Sequence, residues 1–373
     1  MKSPLQISHE QARAFRLHRS YLLGNTNPDP IEIASRICGV QAQVFSAGKL
    51  SLGVRSGKNA AEIEKLFARK NGLIKTWTMR DTLHAIAARD LPLFSAALGF
   101  DTIDRYILHW KKNYDIEREK TISLIETLGS LLTVTPKTKR AFSAEAADTL
   151  GEWVKPLVEN GWGGAIKCLC NMGDAVFAEQ MGQQVTFSRR ERYLTKWKEL
   201  DPHEAQDTLL RKYLSAYGPS TVSDFSYWLG RSVPFAQEIW KRLRRELQEV
   251  EIAGKPAYML GEDRSAFEHI DVPPSHITLL PFFDVYLFPH KKKEHLVEAR
   301  HYKKIFRTAG WISQTLISAG KVQGVWELEK SGNLQSIAVK PFVRLTAEEK
   351  DLLRDNVKVL ENYYGIKTRL RIL

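Results

Sequence analysis

The feature that most restricts this chain is a recurring order of elements, in which amphipathic helices lead into a short pair of alternating strands and the order then repeats. Apolar residues at helical spacing, followed by a period-two stretch bounded by turn residues, predict helices closed by a β-hairpin. In the first repeat, residues 8–22, 30–38 and 46–57 read as helices and 73–86 as a hairpin turning near Arg80-Asp81. Ile74, Trp77, Met79, Leu83 and Ile86 supply the apolar teeth of that hairpin. Asn27-Pro28-Asp29-Pro30 is the start signal of the second helix. The second repeat is fainter, with helices over 143–157 and 164–170 and a hairpin over 175–187. The third is the clearest, with helices over 204–217, 221–229 and 233–247 before strands over 250–260. Ser220-Thr221 ahead of Asp224 reads as a capping box with Asp in place of Glu.

After Pro273-Pro274 the pattern changes to short β-rich pieces at 277–280, 285–288, 311–316, 321–328 and 335–343, punctuated by Gly310, Gly320, Gly324 and Gly332. A last helix, 346–364, carries Leu352, Val357, Val359 and Leu360 as its apolar stripe. A chain of 373 residues is longer than one core usually serves. The expected fold is therefore α+β. Three tandem winged-helix motifs, 1–100, 101–200 and 201–273, precede a β-barrel-like domain, 274–373, and together form a concave surface.

Charge suggests what that surface meets. Lysine and arginine number 55 against 43 acids, and a net +12 favours a polyanion if the excess lies on one face. The excess clusters at 137–140, 189–192, 241–245, 290–293 and 303–307. Any one cluster fits a solvated face, whereas five spread over successive units point to a groove that tracks phosphates. No run of eighteen apolar residues occurs, and the amino terminus meets charge early, so neither a membrane span nor secretion is expected and the chain reads as cytoplasmic. Cys38, Cys168 and Cys170 have no paired CxxC and no histidines at zinc spacing, so buried reduced thiols and no metal are expected. Walker, GxGxxG, HExxH, GxSxG and helix-hairpin-helix signatures are lacking, and no nucleotide or other cofactor is expected. Gly161-Trp162-Gly163-Gly164 is the one glycine-dense spot and, with no Lys-Ser/Thr after it, reads as a loop rather than a phosphate cradle.

Gly39-Val40-Gln41-Ala42-Gln43 is the candidate site. Residues two apart on a helix face nearly opposite ways, while an extended segment sets them on one side. The glycine and the glutamines thus mark a break between the helix before them and the one in which Ala47, Leu50 and Val54 resume helical spacing. Spacing alone leaves two readings open, amides that cap or bridge helix ends and amides that serve a substrate.

Gly39 to Gln43, followed by Thr76-Trp77-Thr78-Met79-Arg80-Asp81-Thr82-Leu83-His84, resembles the AlkZ-like family of bacterial DNA glycosylases. The resemblance continues through Tyr217-Gly218-Pro219-Ser220-Thr221, Asp224, Trp228-Leu229-Gly230, Leu280-Pro281-Phe282-Phe283-Asp284, 306–311 and 320–326. It spans most of the chain in the family's order, with 102–198 matching only in general style. The family carries a Gln-apolar-Gln or Gln-apolar-Asp catalytic motif, which implies Gln41 and Gln43 as catalytic residues. It also implies the three winged helices and duplex DNA with alkylated bases as partner.

Glutamine neither gives nor takes a full proton at neutral pH, but it orients water and stabilises developing charge by about a few kcal/mol. Such a site suits a leaving group already activated, as in an N7- or N3-alkylated purine. Without the family's alternative aspartate, simple N-alkylpurines fit better than crosslinks, unless Asp81, His84 or Asp284 lends charge. DNA contacts are expected from Arg55, Lys75, Arg80, Thr82, His84, Lys291, Lys292, Lys293 and Arg307, in a monomer. Arg80, Thr82 and His84 alternate along one strand, which suits a backbone grip or a polar interface. Asp284, set among aromatic and apolar residues, calls for a partner such as an arginine. Trp110, Trp162, Trp228 and Trp311 read as core fillers. Two rival functions remain: a winged-helix transcription regulator reading DNA with 240–245, and an idle descendant that binds damaged duplex.

Overall fold

The computed structural model describes residues 4–23, 28–271, 275–331 and 334–373. Asn27, Pro273-Pro274 and Gly332 lie outside them. The chain forms two compact units, one joining Met1–Lys65 to Leu210–Leu373 and the other comprising Leu66–Leu209.

In the first unit, Ser8 caps the helix His9–Arg19 with a reciprocal box, its Oγ accepting the Gln11 N–H and Gln11 Oε1 accepting the Ser8 N–H. Ahead of it Leu5–Ile7 is a strand, running parallel to Leu247–Ile252 with Leu5 opposite Val250. The alternation at 250–260 predicts only the hairpin Leu247–Ile252/Lys255–Leu260, whose third strand comes from the other end of the sequence. Phe15 and Phe267 stack at 4.2 Å beside Ile7, Val250 and Met259. The helices Val222–Leu229 and Val233–Arg242 close around Phe225, Trp228 and Trp240, with Tyr213 and Tyr217 from the end of Pro202–Tyr217. The Thr221/Asp224 box is formed as expected, and Trp228 fills the core.

The carboxy-terminal part is a five-stranded sheet in the order Ile277–Leu280, Thr315–Ser318, Lys321–Ser331, Leu334–Pro341, Thr368–Ile372. The first three pairings are antiparallel and the last is parallel. A parallel neighbour needs a crossover, which the helix Ala347–Tyr364 supplies. Among the described residues the sheet stays open, with Ile277–Leu280 and Thr368–Ile372 as its edges, so the expected barrel is only partly made. The strand expected at 285–288 is instead a 3₁₀ turn, Val285–Leu287, because Asp284 caps it by accepting the Tyr286 N–H at 3.0 Å.

In the second unit the expected hairpin forms between Leu73–Trp77 and Leu83–Ala87, with Thr76 opposite His84. Arg80 and Asp81 make its turn at φ 56 and 54. A second hairpin, Ala175–Met181/Gln184–Arg189, is extended by Lys137–Thr138. The helix expected over 143–157 is Lys139–Leu150, ended by Gly151 at φ 94, with short turns following it. Two helices that the sequence reading leaves out, Thr102–Tyr114 and Arg118–Leu131, pack Trp110, Leu124 and Leu128 against Phe142 and Leu169. Trp77 joins that core, with ring centroids 4.8 Å from Phe177 and 6.1 Å from Phe187. All three cysteines are buried thiols outside any disulfide, and burial pushes the Cys168 thiol up to about 12. No helix among the described residues is long and apolar enough to cross a membrane.

Candidate active site

The segment carrying Gln41 and Gln43 is shaped by the way the helix Pro30–Arg36 ends. Asp29 Oδ1 accepts the Ile31 N–H at 2.7 Å at its start, with Pro30 as its first residue. At its end the Gly39 N–H donates to Ala34 O at 2.6 Å and the Cys38 N–H to Ser35 O at 3.4 Å. That pair of bonds is a Schellman closure. Cys38 and Gly39 both take positive φ, 58 and 88, which turns the chain out of the helix into the extended piece Val40–Gln41. The break read from the sequence is therefore present. Val40 and Ala42 are fully buried, Gln41 is 5% exposed, and Gln43, in a bend just beyond the strand, is exposed. The helix Phe45–Ser56 begins two residues later.

Three contacts hold this segment in place, and sequence reasoning found none of them. A Cβ on Gly48 would lie 2.6 Å from Gln41 O, so the helix Phe45–Ser56 lies directly against the backbone of Gln41. Tyr217 Oη donates to Ile37 O at 2.6 Å, fixing the carbonyl just before the turn. Lys212 Nζ donates to Ser35 Oγ at 3.1 Å. Tyr217 is itself held, because the buried Arg16 donates to Tyr217 O, Gly218 O and Pro219 O at 3.2, 3.3 and 2.9 Å. The one available signal was glycine inside a helical pattern: Gly48 and Gly53 sit in one helix, where glycine costs about 1 kcal/mol against alanine.

The far end of the same helix anchors to the sheet domain. Arg55 Nη1 and Nη2 donate to the two carboxylate oxygens of Asp284 at 2.8 and 2.7 Å. Both side chains are fully excluded from solvent. Ser51 Oγ donates to Asp284 Oδ2 at 2.7 Å, and Arg55 Nε donates to Ser20 O at 2.9 Å. Asp284 thus has the arginine partner its surroundings demand, and its charge is spent there. Arg55, expected to contact DNA, is corrected to a structural residue, since a guanidinium with this set of acceptors cannot reach a phosphate.

The other expected contacts divide by exposure. Lys291, Lys292 and Arg307 are exposed. Lys293 is corrected: it is 5% exposed, and its ammonium donates to Phe288 O and His290 O. Lys75, Arg80 and Thr82 are half-buried, Lys75 over the Phe177 ring at 4.9 Å and Thr82 Oγ1 donating to Met79 O at 3.0 Å. His84 is fully buried and is likewise corrected. Its Nδ1 lies 3.0 Å from Thr82 O and its Nε2 3.3 Å from Arg80 Nη2. Burial, and then the Arg80 charge, push it down to about 3, so it is neutral and lends no charge. Asp81 is held by Arg105 at 3.6 Å and Lys167 at 3.8 Å. Of the tryptophans, Trp110 is buried, while Trp311 packs on Phe282 and Phe283 at 38% exposure. Trp162, expected in a core, is 85% exposed. Among the described residues no group of three or more His, Cys, Asp or Glu could hold a metal ion.

The family model described as "DNA glycosylase AlkZ-like" matches residues 34–363, from the last turn before the glutamines through the final helix. The "Interstrand DNA cross-link repair glycosylase" of Streptomyces sahachiroi is 29% identical over 345 residues, covering 91% of each chain. The solved structure "Streptomyces sahachiroi DNA glycosylase AlkZ" superposes with a TM-score of 0.87 at 26% identity, over 99% of this chain and 100% of that one. This chain belongs to the AlkZ-like DNA glycosylases, hydrolases that act on N-glycosyl bonds.

Proposed function

We propose that the chain is a monofunctional glycosylase that hydrolyses the N-glycosidic bond of cationic N-alkylated purines in duplex DNA, with Gln41 and Gln43 orienting the water. The observation that carries this is the Gln41-Ala42-Gln43 segment, which leaves the short strand Val40–Gln41 through a bend at Gln43 between two helices. Ala42 is buried, Gln43 is open to solvent, and the backbone is pinned by Gly48 and Tyr217. Preorganised dipoles of this kind act on charge that develops in the transition state and need no reorganisation when it appears. Water oxygen bonds to C1′ as the bond from C1′ to the base nitrogen breaks. The bonding pair returns to the ring and cancels its positive charge, and the water's proton leaves to solvent. A neutral leaving group is what lets two amides suffice. The relative named for interstrand cross-link repair supports extending the substrates to bulky N-linked adducts and crosslinks.

Each hairpin serves in this reading as the wing of a winged-helix motif, in tandem over 1–100, 101–200 and 201–273, ahead of the carboxy-terminal domain at 274–373. Lys291, Lys292 and Arg307 are the phosphate contacts of the first unit, and Lys75, Arg80 and Thr82 those of the second. The protein acts as a cytoplasmic monomer.

The test is a duplex with a single N7-methylguanine, treated with mild alkali after incubation so that an abasic product is cut. Cleavage by the wild type that vanishes in the Gln41→Ala/Gln43→Ala variant is the expected result. Cleavage that survives in the variant moves the catalytic site elsewhere. No cleavage with binding intact would leave a damage binder or a glycosylase of bulkier lesions. Binding should weaken by roughly 0.9 log unit per log unit of salt for each phosphate neutralised.

A further inference from the structure

The unit Leu66–Leu209 carries an open cavity of about 470 Å³ that the glycosylase reading does not use. One wall is a face of the helix Thr102–Tyr114, where Arg105, Tyr106, His109 and Trp110 recur at spacings of three and four. The other is the glycine loop that leads into Gly164–Asn171, with Trp162 and Lys167. Gly163 and Gly164 take φ 118 and 54, and a Cβ on Gly164 would collide with Leu157 O, so the loop closes this tightly only with glycine. Asn160 Oδ1 accepts the Trp162 N–H at 2.8 Å and holds the turn. The consequence is an indole left 85% exposed at the cavity's rim, against the tendency of tryptophan to be covered.

Lys167 lines the same cavity with its side chain only 17% exposed, and its ammonium stands 3.8 Å from Asp81 Oδ1, beyond hydrogen-bond distance. Burial lowers its affinity for the proton, and the neighbouring Asp81 carboxylate offsets only part of that loss. Arg105 is oriented by Asp101 at 3.0 Å and reaches Asp81 at 3.6 Å. The Asp81 carboxylate, which also accepts from Asn171 Nδ2 at 3.3 Å, therefore stands where two cations converge.

An aromatic face exposed beside a desolvated lysine and a half-buried arginine, in a cavity large enough for a sugar and base, matches the parts of a nucleotide. We propose that this cavity binds one nucleotide of single-stranded DNA, its base stacked on Trp162 and its phosphate taken by Lys167 with Arg105 behind it. A base paired and stacked within a duplex cannot present its face to an indole, so an unpaired nucleotide is required. The incoming phosphate competes with Asp81 for both cations.

Fluorescence anisotropy of a labelled four-nucleotide oligothymidylate, titrated with the full chain at low salt, tests the assignment. Trp162→Ala should weaken binding at least about fivefold, the lower end of what one stacked base contributes, and Trp162→Phe should recover most of it. Asp81→Asn should tighten binding, and asparagine accepts the positive φ of that turn position. Both positions lie outside the packed core, so near-wild-type far-UV circular dichroism is expected. The Gln41→Ala/Gln43→Ala variant should bind like the wild type, which separates failure of this site from failure of the glycosylase reading. No binding by the wild type, or Trp162→Ala and Asp81→Asn both binding unchanged, overturns the proposal. Equal affinity for free dTMP would make the cavity a mononucleotide site and overturn its assignment to a strand.

Discussion

Replacing Gly48 with alanine isolates the placement of Gln41 from its chemistry. The added Cβ would lie 2.6 Å from Gln41 O, where real Cβ atoms essentially never approach within 3.0 Å, so the helix or the glutamine segment must give by at least about 0.4 Å. The clash is with backbone on both sides, and no rotamer relieves it. Overpacking of this kind costs about 1 to 3 kcal/mol, while alanine returns about 1 kcal/mol of helix propensity. Net destabilisation should stay within about 2 kcal/mol. Catalysis is less forgiving, since a misplacement of about 1 Å costs about a hundredfold, and a shift near half of that should cost about tenfold. Single-turnover excision of N7-methylguanine with enzyme in excess measures the step, and urea unfolding followed by circular dichroism measures stability. Gly53→Ala is the control: it lies in the same helix, but its Cβ would run into the Tyr363 ring and meet Lys58 O at 3.1 Å, with no atom of Gln41 or Ala42 among its nearest contacts. Its excision rate should stay within about twofold of wild type whatever its stability. A wild-type rate for Gly48→Ala, or an equal loss in Gly53→Ala, would show that contact at Gly48 does not place Gln41.

Asp284→Asn keeps the shape of the buried pair but strips its charge, leaving Arg55 uncompensated. It should cost about 3 to 5 kcal/mol in urea unfolding, and a cost under about 1 kcal/mol would show that the pair does not anchor the helix. Tyr217→Phe leaves Ile37 O without its 2.6 Å partner and should cost about 1 to 3 kcal/mol, with excision slowed more than stability predicts. Stability should also fall with acid. His84 holds its proton only below about pH 3 when folded, against an ordinary 6.5, and burial lowers His290 as well. The unfolded chain therefore binds more protons between these values, so this contribution is complete above about pH 6.5 and is lost as pH falls toward 3. The slope is about 1.4 kcal/mol per pH unit for each such histidine, and urea midpoints unchanged between pH 7 and pH 5 would contradict it.

What was legible in the residues was local. The capping box at Thr221 and Asp224, the hairpin turn at Arg80-Asp81 and the break from the helix at Cys38-Gly39 each depend on neighbours within a few positions, where chirality and hydrogen-bond reach leave little choice. The family motifs were legible too, though not what most of them do. Leu280 to Asp284 marks the seat of Arg55, and Tyr217-Gly218-Pro219 is gripped by Arg16 while its tyrosine holds the end of the helix before the glutamines.

Misjudged residues share one cause, that residue type sets a preference for water or core which a distant partner can reverse. Arg55 and Lys293 read as surface cations until Asp284 and the carbonyls of Phe288 and His290 accept their protons in the interior. Trp162 reads as core until two glycines turn it outward. The edge strands Leu5–Ile7 and Thr368–Ile372 carry too few apolar residues to announce themselves, and each exists because a strand elsewhere offers unpaired backbone groups. Local backbone chemistry is written along the chain, so the sequence settles the caps, the hairpin turn and the break after Gly39. Burial, ion pairing and sheet edges depend on which remote segments meet, and only the folded chain decides that.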